Sequence, residues 1–141
     1  MFSRAAEYAL RAMTFLAMQP PGKLSGAREI ARAEKVPMPF LWKILQNLAR
    51  RRLIRSFKGL HGGYELACPA RKINVEDIVR AMDNTEVVEG CVLGLAQCSE
   101  ENPCPLHHSW KEVRTQLTNM MQRTTLADLA AVASRRKRLR R

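Results

Sequence analysis

Apolar residues recur at spacings of three and four over the first stretch of the chain. Phe2, Ala5, Ala9, Met13 and Leu16 define one face of a helix, and Arg4, Glu7 and Arg11 the other. Pro20-Pro21-Gly22 closes it. Ser25 is placed to cap a short second helix carrying Ile30 and Ala31. That helix ends before the Val36-Pro37 step, because a residue preceding proline is driven out of the helical region. A third helix follows with Pro37 and Pro39 in its first turn. Leu41, Ile44, Leu45 and Leu48 form its buried stripe, while Trp42, Lys43, Gln46, Asn47 and Arg50 point elsewhere. Two short helices joined by a tight turn, the second offering Lys and amide side chains, make the helix-turn-helix pattern whose second helix enters a DNA major groove.

The period then shortens to two. Leu53-Ile54-Arg55-Ser56-Phe57 alternates like a strand, Lys58-Gly59-Leu60-His61-Gly62-Gly63 is a turn, and Tyr64-Glu65-Leu66-Ala67 is a second strand. The glycines permit positive φ and close backbone approach, so the tip bearing Lys58 and His61 can lie against a phosphate backbone or a minor groove. A plain surface hairpin is the alternative, and the adjoining Arg50-Arg51-Arg52 run weighs against it. Asn74 and Asp77 cap a helix carrying Val75, Ile78, Val79 and Met82.

From Asp83 to Pro105 no amphipathic period is visible, and the stretch reads as a loop. Trp110, Val113, Leu117 and Met120 then restore alternating steps of three and four, nearly two heptads of apolar seam. Such a seam packs either on its own domain or on a twin, and a reader of palindromic half-sites needs the twin. Thr125 and Asp128 open a last short helix, Leu126 to Ala133. The predicted class is mainly α: a winged helix-turn-helix with a two-stranded wing and a long C-terminal dimerisation helix. Its parts are a winged-helix domain over 1–82, a cysteine-bearing loop over 83–105, the dimerisation and final helices over 106–133, and a basic tail over 134–141.

Charge sharpens the partner. A formal net charge of +11 implies attraction to a polyanion. Arg28, Lys43, Arg50, Arg51, Arg52, Lys58 and His61 are the expected phosphate and groove contacts, with Pro39 and Trp42 nearest the bases. The run Arg135 to Arg141 reads as a solvated tail adding non-specific phosphate binding. The charge-free stretch from Ala12 to Gly22 is too short to cross a bilayer, and Arg4, Glu7 and Arg11 interrupt any secretory segment, so a cytoplasmic protein with no membrane partner is expected. An RNA-binding protein remains an alternative, but few of the aromatics fall outside predicted cores, where base stacking would need them. No nucleotide-loop, metalloprotease or nucleophile-elbow motif is present, so no enzyme is predicted.

Three of the four cysteines, Cys91, Cys98 and Cys104, fall in the loop. Thiolates so grouped can converge on a soft metal or an iron–sulfur cluster. Three thiolates need about one further donor. His107, three residues after Cys104, is the first candidate on local spacing, with His108 beside it. Zinc is the main rival, although common zinc modules bring ligands in closer pairs than these intervals of six and five residues. A metal-free thiol switch is the other. Cys68, before Pro69, reads as a partly buried residue and no ligand.

With these residues placed, the chain resembles the Rrf2 family of bacterial winged-helix regulators over nearly its whole length. The resemblance is carried by Glu7-Tyr8-Ala9-Leu10-Arg11, Val36-Pro37, Phe40-Leu41, Lys43-Ile44-Leu45 and Leu48. It continues through Leu53-Ile54, Lys58-Gly59, Gly62-Gly63-Tyr64, Leu66-Ala67 and Thr125-Leu126-Ala127-Asp128-Leu129. It is similar above all to the iron–sulfur branch (IscR- and NsrR-like members), whose cluster cysteines occupy the place of Cys91, Cys98 and Cys104. The resemblance implies a homodimer with domain-crossing long helices, binding double-stranded promoter DNA. It also implies sensing of redox, nitric oxide or iron and cluster status through a cluster, 2Fe-2S favoured and 4Fe-4S allowed. IscR-like members place a histidine where His107 stands, and NsrR-like members present a carboxylate at the place of Glu7, which makes Glu7 the second candidate for the fourth ligand. Glu7 also lies at ion-pairing distance in sequence from Arg4 and Arg11. Two departures stand out: the longer first cysteine interval, and Pro37, Pro39 and Trp42 where IscR-like members carry small polar and acidic side chains.

Overall fold

The computed structural model describes residues 2–83, 90–94, 100–101 and 103–139. Cys98, much of the stretch read as a cysteine loop, and the last two residues of the basic tail lie outside the described residues.

Helix α1 (Arg4–Ala17) is the centre of the molecule. Ser3 caps it by accepting the Ala6 N–H at 3.0 Å. Its inward face is Ala6, Tyr8, Ala9, Ala12, Met13, Phe15 and Leu16. Ala5, expected inside, is exposed, because the face follows Ala6 and Ala9. The small alanines let α2 (Ala27–Glu34), α3 (Met38–Arg50) and α4 (Val75–Met82) pack against α1. Leu41, Ile44, Leu45 and Leu48 are buried as the period of α3 predicts. Truncating one of these leucines to alanine would cost about 2–5 kcal/mol.

Ser25 does not cap α2. Gly26 holds that position, while Ser25 is fully buried and exchanges backbone hydrogen bonds with Tyr64 at 3.0 and 2.8 Å. The segment before α2 thereby adds a bridge to the wing, where β1 (Ile54–Phe57) runs antiparallel to β2 (Gly63–Leu66) with Ile54 opposite Leu66 and Phe57 opposite Gly63. The pairing of a buried backbone outcompeted the side-chain cap.

A capping box of Asn74 and Asp77 starts α4, as expected. The C-terminal arm is α5 (His107–Arg123) followed by α6 (Leu126–Leu139). It returns onto the domain through Val75 N–H to Thr124 O at 3.0 Å and Leu126 N–H to Ile73 O at 2.7 Å. Met121 is buried with Ala6, Val75 and Val79, and Leu117 packs on that group. The last helix is longer than the segment ending at Ala133, running through Arg135 to Arg138. No glycine or proline follows Ala133, and arginine and lysine are good helix formers. Among the described residues no helix is long and apolar enough to cross a membrane.

Candidate functional site

Two surfaces carry the chemistry. The first is the outer side of the helix-turn-helix and wing. On α3, Pro39, Lys43, Gln46 and Arg50 follow one another at steps of four, three and four, and all are exposed, as is Trp42 beside them. A polar stripe thus backs the leucine stripe. Arg28 on α2 and Arg51 and Arg52 after α3 are exposed too. Lys58 and His61 stand exposed in the wing turn. That turn is rigid. Gly59 has φ +102°, and a Cβ on Gly62 would fall 2.0 Å from the Phe57 carbonyl oxygen. Leu60, at the apex, is 95% exposed.

Sequence reasoning passed over two residues here. Arg55 on β1 donates to the Ala67 carbonyl at 3.1 Å and keeps a cation on the wing face. Tyr8 packs its ring 6.3 Å from that of Phe40 in the first turn of α3, with the Arg4 and Arg11 guanidinium groups 6.0 and 5.5 Å from its centre. The phenol's hydrogen bond and the neighbouring Glu7 charge hold Arg4 still more firmly in its charged form.

The second surface is the junction of the cysteine loop with α5. Cys104 and Cys91 are both half-buried. Cys104 is followed by a turn in which its carbonyl accepts the His107 N–H at 3.0 Å, and His107 itself is buried at the start of α5. Cys91 begins a second turn, its carbonyl accepting Gly94 N–H at 2.9 Å and its Sγ facing the Leu93 N–H at 3.4 Å. Among the described residues, two clasps bind this loop to α5. The Trp110 indole N–H donates to the Gly90 carbonyl at 2.7 Å, and Lys111 pairs with Glu100. The Lys111 hydrogen bond and charge, with lesser contributions from His107 and His108, hold the Glu100 carboxyl below its ordinary range against the opposing effect of desolvation.

Trp110 is therefore engaged within its own chain, where the apolar period had counted it in the seam with Val113, Leu117 and Met120. An aromatic at a heptad position carries no mark of the hydrogen bond its N–H will make. Glu7 is exposed on α1, one turn after Ser3, and Ser3 bonds the Asp83 carboxylate, so the start of α1 lies against the beginning of the loop. Among the described residues no three His, Cys, Asp or Glu side chains converge on a common point. Cys91, Cys104 and His107 are brought to one end of α5, and Cys98 lies outside the described residues.

A third feature is apolar. Phe2, Leu10, Val75, Met120, Leu129 and Ala133 line an open groove of about 460 Å³, with the Arg11–Glu34 pair at its edge. Val113 and Met120 are 47% and 51% exposed on α5.

Residues 2–132 match the profile of the Rrf2 family, described as iron-dependent transcriptional regulators. An HTH-type transcriptional regulator of Aquifex aeolicus is 38% identical over 130 residues, covering 91% of this chain and 90% of the relative. The HTH-type transcriptional regulator NsrR of Halalkalibacterium halodurans is 32% identical over 124 residues, covering 87% and 85%. Among solved structures, T. potens IscR superposes with a TM-score of 0.77 at 25% identity, covering 94% of this chain and 88% of that one.

Proposed function

This chain belongs to the Rrf2 family of DNA-binding transcriptional regulators, and we propose that it works as a homodimer reading promoter DNA under the control of an iron–sulfur cluster. The donors would be Cys91, Cys98, Cys104 and His107. The observation that carries this reading is the double clasp: Trp110 to Gly90 and Lys111 to Glu100 draw the cysteine loop onto the end of α5 where Cys104 and the buried His107 already lie. Thiolates with an imidazole suit iron, and that donor chemistry is what the described residues offer. His107 fits better than Glu7, since it sits buried beside Cys104 while Glu7 is exposed on α1 and beside Arg4.

A bound cluster would supply redox and nitric-oxide chemistry that lies outside the reach of carboxylates and amines. The chain's own residues do the rest. Lys43, Arg50 and Lys58, with Arg28, Arg51 and Arg52, neutralise phosphates, while Trp42 and the Pro39 turn meet base edges and His61 follows the wing tip. Asp83, bonded to the Ser3 cap of α1, ties the start of the loop to the helix on which α2 and α3 pack. A change in the ligand loop can then bias the dimer between DNA-competent and incompetent arrangements by the difference in its binding to the two. The half-exposed Val113 and Met120 and the apolar groove beside α1 support a second copy as the partner of the arm.

The test is anaerobic purification with visible absorption and iron, sulfide and zinc analysis, followed by DNA binding of the coloured and chelator-treated protein. Equal affinity of the two forms would sink the sensor reading. A colourless protein with stoichiometric zinc would replace it by a structural zinc site. Cluster loss in His107→Ala with retention in Glu7→Ala identifies the fourth donor, and the reverse pattern transfers the role to Glu7.

A further inference from the structure

We propose that Trp110 is a positioning residue that sets where Cys91 lies relative to Cys104 and His107. Gly90, whose carbonyl takes the indole N–H at 2.7 Å, immediately precedes Cys91. Trp110 stands three residues after His107 in α5, so indole and imidazole share a helix face. Cys104 needs no such help, since its own carbonyl is bonded by the His107 backbone. The residue before Cys91 is thus fastened to α5 by a side chain, one whose apolar spacing also fits a seam.

The second clasp is of a different kind. Lys111 and Glu100 are both more than half exposed, so their pairing is screened by salt and holds the loop weakly. A neutral indole–carbonyl bond, half-buried, is insensitive to salt. Trp110 therefore dominates at physiological ionic strength. The importance of this position for sensing rests on the cluster reading; the clasp itself does not.

The experiment is a time course of iodoacetamide alkylation on the full-length protein, reduced and chelator-treated, with each cysteine followed by mass spectrometry in wild type and Trp110→Phe. Phenylalanine keeps an aromatic ring while removing the N–H donor together with part of the indole's bulk. Loss of one hydrogen bond predicts Cys91 alkylation faster by about fivefold. Cys68, at the end of the wing, and Cys104 should stay within about twofold on the same scale. The acceleration should be the same at low and high salt, whereas in Lys111→Met a smaller acceleration should vanish at high salt. Unchanged Cys91 reactivity in Trp110→Phe overturns the proposal, and so does equal acceleration at Cys68, Cys91 and Cys104. If Trp110→Phe does not fold, Trp42→Phe leaves Trp110 as the sole tryptophan, and its emission should shift when Cys91 is alkylated; constant emission overturns the proposal. Because the metal is stripped beforehand, a failure of the cluster reading shows up in the metal analysis and leaves these rates untouched. Where a cluster does load, Trp110→Phe should also lose its colour faster under a chelator.

Discussion

A Cβ on Gly63 would stand 2.8 Å from the carbonyl oxygen of Ser25, so the wing strand lies against the segment preceding α2 with no room for a side chain. Gly63→Ala must push this backbone apart and loosen the Ser25–Tyr64 bridge. We expect a loss of about 1–3 kcal/mol in urea unfolding. Gly22→Ala, which meets no atom but also has positive φ, separates packing from backbone strain. An equal loss at both positions would remove the packing argument.

On the proposed reading, the exposed stripe on α3 and the wing turn contribute separately to DNA affinity. Lys43→Ala and Lys58→Ala should each lower the slope of log affinity against log salt by about one unit, through one lost phosphate contact. Fluorescence anisotropy across a salt series measures it. An unchanged slope removes that lysine from the interface.

Val113 and Met120 are half-exposed, so a charge at either position should leave the monomer's thermal midpoint nearly unchanged. Buried between two copies, it should break them apart. Sedimentation of Val113→Glu and Met120→Glu is expected to show monomers where the wild type shows dimers. Wild-type monomers at all concentrations would instead assign the groove to another partner.

Ser3 has two tasks, capping α1 and holding Asp83. Ser3→Ala should cost about 1 kcal/mol through the cap. Asp83→Ala leaves the cap and should cost less, while increasing protease cleavage after Met82. Identical stabilities for both variants would mean that the cap contributes nothing beyond the link to Asp83.

Asp128 reaches back to the Thr125 backbone at 3.0 Å, and that hydrogen bond, reinforced by the threonine hydroxyl, holds its carboxyl below the ordinary range. The folded pKa is the lower one. Its contribution is therefore present above the unfolded value and fades as pH falls through the folded value, below about pH 4. The difference in thermal midpoint between wild type and Asp128→Asn should be constant near neutrality and shrink in acid. A difference that grows in acid would reverse the assignment.

The helix-turn-helix and wing were legible because leucines at helical spacing and paired glycines report burial and turn geometry directly. Leu41, Ile44, Leu45 and Leu48 are inside as their period requires. Ser25 misled because a serine before a helix is a good cap in isolation, and its pairing with Tyr64 is a contact between residues far apart in the chain. The same reason hid the Trp110–Gly90 and Ser3–Asp83 bonds. Spacing grouped the cysteines in one stretch, but it could not say which side chain fastens that stretch to α5. The final helix runs past Ala133 because a run of charge marks solvation and not a helix end: arginine and lysine oppose helix formation far less than glycine or proline.

That helix compresses the cationic run. Arg135 to Arg138 occupy little more than one turn, rising about 1.5 Å per residue where an extended tail would spread them at about 3.3 Å. Crowded like charges repel, and dissolved ions relieve the repulsion. Raising the ionic strength should thus tighten the end of α6 while loosening the grip on DNA. The chain's two basic regions answer the same solvent variable with opposite sign.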